Sequence, residues 1–109
     1  MLMTLGSPIA THFVQRSIKG AGERGASRYP HNIRRWVNFT ARGDTTALQP
    51  RVKPLYREML ALGLVDSIED YVEFDNYFRG SLGLNPHEVY GYLAQPALAE
   101  VIADWLEEG

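Results

Sequence analysis

The chain has no cysteine among its 109 residues. A disulfide scaffold, a zinc–thiolate centre and a thiol nucleophile are therefore excluded. Long apolar runs are also missing: none approaches the ~18 residues that a membrane-spanning helix needs. The opening residues MLMTLGSP carry no basic cluster and no extended apolar stretch. No secretory signal is read there, and the expectation is a cytoplasmic chain without a membrane span. There is no internal repeat and no low-complexity segment. The 3 histidines show no metal-ligand spacing, so neither a metal nor a cofactor is expected.

What remains is the composition of one small globular domain: 45% hydrophobic, 11% aromatic and 22% charged residues. That is too apolar for a disordered chain. The net charge is only −2, but its halves differ in sign. Residues 1–54 hold nine Lys and Arg against Glu23 and Asp44, a net +7. Residues 55–109 hold Arg57 and Arg79 against eleven acids, a net −9. Such asymmetry can mark a nucleic-acid face. The basic residues are scattered, however, and neither a helix-turn-helix nor an RNP-type aromatic motif is present. The pattern therefore favours two halves that pack on each other or on a partner, and nucleic acid is not the expected ligand.

Strand-like and helix-like segments alternate along the chain. Leu2 to Leu5 is a short apolar run stopped by Gly6-Ser7-Pro8. Residues 9–19 place Ile9, Phe13, Val14 and Ile18 at helical spacing before Gly20 and Gly22. Residues 20–33 read as a loop rich in Gly, Arg and Ser. RRWVNFTA is the clearest strand, and Arg42-Gly43-Asp44 ends it. A helix is read from about Pro54 to Leu62, with the proline tolerated in the first turn. The alternating stretch beginning at Tyr71 reads as a third strand, carrying Glu73 and Asp75, and RGSLGLNP after it reads as a loop. A short helix over EVYGYLA precedes a last helix opened by Pro96. There Leu98, Val101, Ile102, Trp105 and Leu106 form one stripe, expected to pack on the sheet.

This order implies an α/β fold: about three parallel strands, near 2–5, 35–41 and 70–76, with crossover helices and a C-terminal helix. Parallel sheets are normally buried on both faces and contain more strands than three. The first strand is also left with an uncovered edge. Residues 1–109 are therefore expected to form a single but partial domain, one side of a larger α/β unit.

In such sheets the working residues sit in loops at the carboxyl ends of the strands. Three loops qualify: Gly6-Ser7-Pro8, the turn from Gly43-Asp44 to Ala47, and Asn85-Pro86-His87. Asp44 and His87 fall on the same rim, acid before base. That pairing has a chemical purpose, since a hydroxyl is a poor nucleophile until an imidazole takes its proton, and a carboxylate must hold the imidazole tautomer.

The runs LMTLGSPI, YPHNIRRWVNFTARGDTTAL and NPHEVYGYL together resemble the C-terminal half of serine esterases and lipase-like proteins of the α/β-hydrolase superfamily. The likeness covers nearly the whole chain. It implies that Asp44 is the triad acid and His87 the general base. It also implies that the nucleophile elbow and the oxyanion-hole donors lie N-terminal to the first strand seen here. Gly-x-Ser-x-Gly does not occur in these residues: Gly25-Ala26-Ser27-Arg28-Tyr29 lacks the final Gly, and Gly80-Ser81-Leu82-Gly83 has the wrong spacing. After Asp44 the turn reads Thr-Thr-Ala where Pro-Val-Ala is the commoner pattern.

The expected function is thus the C-terminal segment of a hydrolase for carboxylic or lipid esters, supplying acid and base but no nucleophile and inactive alone. Its partners would be the segment bearing the serine and a small-molecule ester. The alternative is a non-catalytic module that oligomerises, or pairs with a partner, through its open first strand. Each residue has a plainer reading as well. Asp44 can be a turn residue bonding its own backbone, and His87 can pack on Tyr90 or Tyr92. Ser7 belongs to a strand-ending turn rather than to a nucleophile, because Pro8 removes an N–H that an oxyanion hole would want. His12 and His31 read as helix-surface and loop residues. The aromatics, Tyr92 and Trp105 included, read mostly as core.

Overall fold

A computed structural model describes residues 1–18, 20–44, 49–76, 79–80, 83–84, 87 and 89–108. Strands β1 (Leu2–Leu5), β2 (Arg35–Phe39) and β3 (Ser67–Tyr71) form a parallel sheet in the order β1-β2-β3. Helix α1 (His12–Ser17) lies between β1 and β2 in sequence, and α2 (Arg57–Ala61) between β2 and β3. Strands β4 (Arg79–Gly80) and β5 (Gly83–Leu84) form a small antiparallel ribbon. Helices α3 (Val89–Leu93) and α4 (Pro96–Glu108) complete the chain. No helix among the described residues is long and apolar enough to cross a membrane.

The register explains why the two faces differ. Leu2, Trp36 and Ile68 form one cross-strand row, and Thr4, Asn38 and Asp70 the next row on the same face. Trp36 and Ile68 enter a core with Ala10, Val52, Tyr56, Met59 and Val65. On the opposite face Val37 and Phe39 pack with Ala41, Tyr92, Leu98 and Val101. Burial of both faces of the central strand is what makes RWVNF a continuous strand signal, as parallel sheets require.

The second row is polar and fully satisfied. Thr4 Oγ1 donates to Asn38 Oδ1 at 2.7 Å and accepts from the Trp36 indole at 3.1 Å. The Asn38 amide donates to Asp70 at 3.0 Å and to the Pro50 carbonyl at 2.7 Å. Asp70 accepts from the backbone N–H groups of Val52 and Lys53, each at 3.0 Å. A row of apolar residues here would leave those loop amides without partners. The polar row instead fixes the segment after β2 onto the carboxyl end of the sheet.

Four expectations are corrected. The third strand is not near 70–76 but at Ser67–Tyr71, paired from Arg35↔Ser67 to Phe39↔Tyr71. Three of its five residues are polar, because only Ile68 enters a hydrophobic core, so apolar alternation could not find it. The alternating stretch beyond it is a loop. Arg42 N–H donates to the Phe74 carbonyl at 2.9 Å, and the Arg42 guanidinium reaches the Glu73 carbonyl at 3.2 Å. Residues 79–80 and 83–84, within the stretch read as loop, form β4 and β5, since Arg79↔Leu84 and Gly80↔Gly83 pair. Helix 9–19 is interrupted: a 3-10 turn spans Pro8–Ala10, and Thr11 adopts an extended conformation before α1. The stripe of α4 is covered at Leu98 and Val101, but Trp105 is 44% and Leu106 65% exposed. Tyr77 and Phe78 lie outside the described residues, and so do the Thr45–Ala47 and Asn85-Pro86 parts of the rim loops.

Charge segregation has a structural outlet. Arg34–Asp66, Arg35–Glu69, Arg42–Asp75 and Arg51–Glu73 pair at 2.9, 3.1, 3.3 and 3.9 Å. Each joins the basic half to the acidic half.

Candidate functional site

The β1 and β2 ends converge on one point. Gly6 continues the ladder beyond β1, its N–H donating to the Phe39 carbonyl at 2.8 Å. Beyond β2, residues Ala41–Asp44 form a turn closed by Asp44 N–H to the Ala41 carbonyl at 3.2 Å. Gly43 sits at φ +76°, a sign that an L side chain rarely adopts, so Gly at the third position lets the chain reverse and aim Asp44 inward. The Asp44 side chain is completely buried.

His87 meets it there. Its Nδ1 lies 3.1 Å from Asp44 Oδ2, and its own side chain is 53% exposed. The same carboxylate oxygen accepts the Tyr92 hydroxyl at 2.5 Å, and the Tyr92 oxygen accepts the Ala41 N–H at 2.9 Å. The proton placement follows from valence. Ala41 N–H can only donate, so the phenol uses its lone pair there and its proton on Asp44. An ionised carboxylate only accepts, so His87 Nδ1 carries a proton toward it. That puts the ring's lone pair on Nε2, in a side chain that is half exposed.

Tyr92 is 1% exposed, and its ring stands edge-on to Phe74 with centroids 5.6 Å apart. Its helix comes close enough that a Cβ on the neighbouring Gly91 would overlap the amide of buried Asn76. Gln95 ties the α3–α4 junction down by donating to the Asp75 carbonyl at 2.8 Å. Burial, and secondly the bond to Asp44, push the Tyr92 phenol above its ordinary pKa of 10.0. A raised pKa means that the folded state holds the proton more tightly than the unfolded chain. This contribution is complete below pH 10 and is lost as pH climbs above it. Tyr92→Phe should flatten the loss of stability above pH 10 in urea titrations. At neutral pH the same change should cost about 1–3 kcal/mol, because it strands the Ala41 N–H and one lone pair of Asp44.

Gly6 forms the floor. It adopts φ +57°, and a Cβ there would collide with Asp44 Oδ2, lying also 2.9 Å from the Tyr92 oxygen and 3.1 Å from His87 Nδ1. Gly6→Ala should therefore destabilise the fold by more than about 2 kcal/mol, from backbone strain and steric conflict together. It should also displace His87 from Asp44, visible as loss of the His87–Asp44 contact in nuclear Overhauser spectra.

No family model, curated protein or solved structure matches this chain. The site is therefore read from its own geometry. Asp44 and His87 are brought together, whereas the other candidates stay apart from them. Ser7 accepts the Ile9 N–H at 3.2 Å and caps the Pro8–Ala10 turn. His31 Nε2 meets the Ala26 carbonyl at 2.7 Å in the long loop. Glu73 and Asp75 serve ion pairs with Arg51 and Arg42. Among the described residues no cluster of three His, Asp or Glu could hold a metal ion. Sequence reading missed Gly6 and Tyr92 as members of the site. The available signal for Tyr92 was that a buried phenol needs a polar partner, and none lies beside it in its own helix.

Proposed function

We propose that this chain supplies the acid and the base of a serine-hydrolase triad, acting on a carboxylic or lipid ester once a serine-bearing segment completes the site. The observation that carries the reading is a fully buried carboxylate 3.1 Å from Nδ1 of a histidine whose side chain is half exposed. Asp44 fixes the Nδ1–H tautomer of His87 and stabilises the imidazolium that forms. His87 Nε2 takes the serine proton as Oγ bonds to the ester carbonyl carbon. The same proton passes to the departing alkoxide as the C–O bond breaks, and His87 repeats the sequence with water to release the acid. The resemblance of the Gly-Ser-Pro, Gly-Asp and Asn-Pro-His segments to α/β-hydrolase esterases supports the assignment of roles.

The test is the coding sequence upstream of Met1 and the protein it yields. If the reading frame continues through a strand, Gly-x-Ser-x-Gly and a helix, the longer protein should react with a fluorophosphonate probe and hydrolyse short-chain p-nitrophenyl esters. The 109-residue chain alone should do neither. A stop codon directly upstream, with no serine-bearing protein that restores turnover on mixing, would sink the proposal.

A second reading has its own observation. Among the described residues β1 is hydrogen-bonded to a neighbour on one side only, and the end of α4 exposes Trp105 and Leu106. A module that self-associates by strand addition would use that edge. Sedimentation at micromolar concentration would then give a monodisperse dimer, and a monomer at every concentration would discard this reading.

A further inference from the structure

Among the described residues, the ion pairs that join the two halves do not use Arg16 or Arg28, and both line one cleft of about 720 Å3. Arg51 lines it too, held only loosely by Glu73, which is 3.9 Å away and 80% exposed. Among the described residues no carboxylate lines this cleft; Ala10, Pro54 and Leu55 give it apolar walls. The volume is that of a small-molecule site rather than a surface groove for a macromolecule.

The walls are fixed rather than loose. Gln15, next to Arg16, donates to the Tyr56 hydroxyl at 2.8 Å and to the Ile9 carbonyl, which ties α1 to the core. On the other side the Pro50 carbonyl accepts the Asn38 amide at 2.7 Å, and Asp70 binds the amides of Val52 and Lys53 at 3.0 Å. The polar row of the sheet thus sets the position of Arg51. Guanidinium groups suit phosphate and carboxylate oxygens by their planar, forked donors. Three arginines around one cleft favour a dianion over a singly charged carboxylate.

We propose that this cleft binds an organic phosphate, its phosphoryl group between Arg16, Arg28 and Arg51 and its apolar part against Pro54 and Leu55. The proposal is independent of the hydrolase reading, since neither Asp44 nor His87 lines the cleft. The ligand could be a free phosphomonoester or the headgroup end of a lipid; both present the same chemistry.

The experiment titrates the 109-residue chain with hexyl phosphate, inorganic phosphate and hexanol by calorimetry, and with phosphatidic-acid vesicles by sedimentation. Hexyl phosphate should bind, inorganic phosphate more weakly, and hexanol not at all. An Arg16→Gln/Arg28→Gln double variant should lose at least about 10-fold in affinity for hexyl phosphate. Arg28→Gln alone should lose part of this, and Arg24→Gln, away from the cleft, nothing. Both tested arginines are exposed, so circular dichroism should be unchanged. Additional binding to vesicles that compete with hexyl phosphate identifies the lipid source, and hexyl phosphate binding without it identifies the free ester. Three results overturn the proposal: no heat up to about 10 mM hexyl phosphate, equal affinity in the double variant, or binding to vesicles alone.

Discussion

Asp44→Asn will leave the fold standing and impair the acid–base role proposed for His87. The carboxylate accepts from His87 at 3.1 Å and from Tyr92 at 2.5 Å. An amide in its place keeps one accepting oxygen and presents an NH2. Tyr92 must still donate, because its oxygen already accepts the Ala41 N–H. Both bonds fall on one oxygen, Oδ2, so the amide oxygen takes that place and keeps both donors. His87 Nδ1 keeps its proton, but the negative charge that would stabilise the imidazolium is gone. In a protein that joins this segment to a serine, the proposed hydrolysis should fall about 10^2-fold or more. Nitrogen-15 shifts of neutral His87 in the 109-residue chain should show Nδ1–H both in the unaltered chain and in Asp44→Asn. An Nε2–H tautomer in the unaltered chain would remove His87 from the role of base.

Trp36→Ala is expected to be the most damaging single core truncation. Trp36 is 2% exposed, stands edge-on to Tyr56 at 4.7 Å, and donates its indole N–H to Thr4 at 3.1 Å. Its removal should cost about 3–5 kcal/mol, since the rigid sheet cannot close the cavity and the row above it loses a donor. A domain of this size has only about 5–15 kcal/mol in hand, so the variant should unfold at low urea or at expression temperature. Trp105→Phe should cost no more than about 0.5 kcal/mol, because that ring is 44% exposed. The chain has 2 tryptophans, so Trp105→Phe also isolates Trp36 as the fluorophore for the unfolding curve. Similar losses for the two substitutions would show that the core is centred elsewhere.

The consequence for the site is direct. The row Leu2, Trp36, Ile68 supports the row Thr4, Asn38, Asp70, and the strand ends beyond that row carry Gly6 and the turn to Asp44. Truncation at Trp36 should therefore weaken the His87–Asp44 contact before global unfolding, through loss of the frame rather than of any site residue.

The sequence by itself determined the class of fold, the first two strands, the closing helix from Pro96, and the two residues that meet at the rim. It could do so where the signal is local. RWVNF is buried on both faces and shows it in composition, and Gly6 and Gly43 turn the chain at positive φ beyond the ends of β1 and β2. The third strand was not legible, since Ser67, Glu69 and Asp70 owe their places to partners in β2 and in the loop after it. Nor was the exposure of Trp105, because periodicity marks the apolar stripe of a helix but not which of its positions a neighbour covers. The pairing of 79–80 with 83–84 and the bond from Tyr92 to Asp44 likewise depend on contacts that the chain order does not contain. What only tertiary structure decided is which polar groups face one another. A hydrogen bond depends on position to within tenths of an ångström, whereas hydrophobic patterning fixes only which face of an element turns inward.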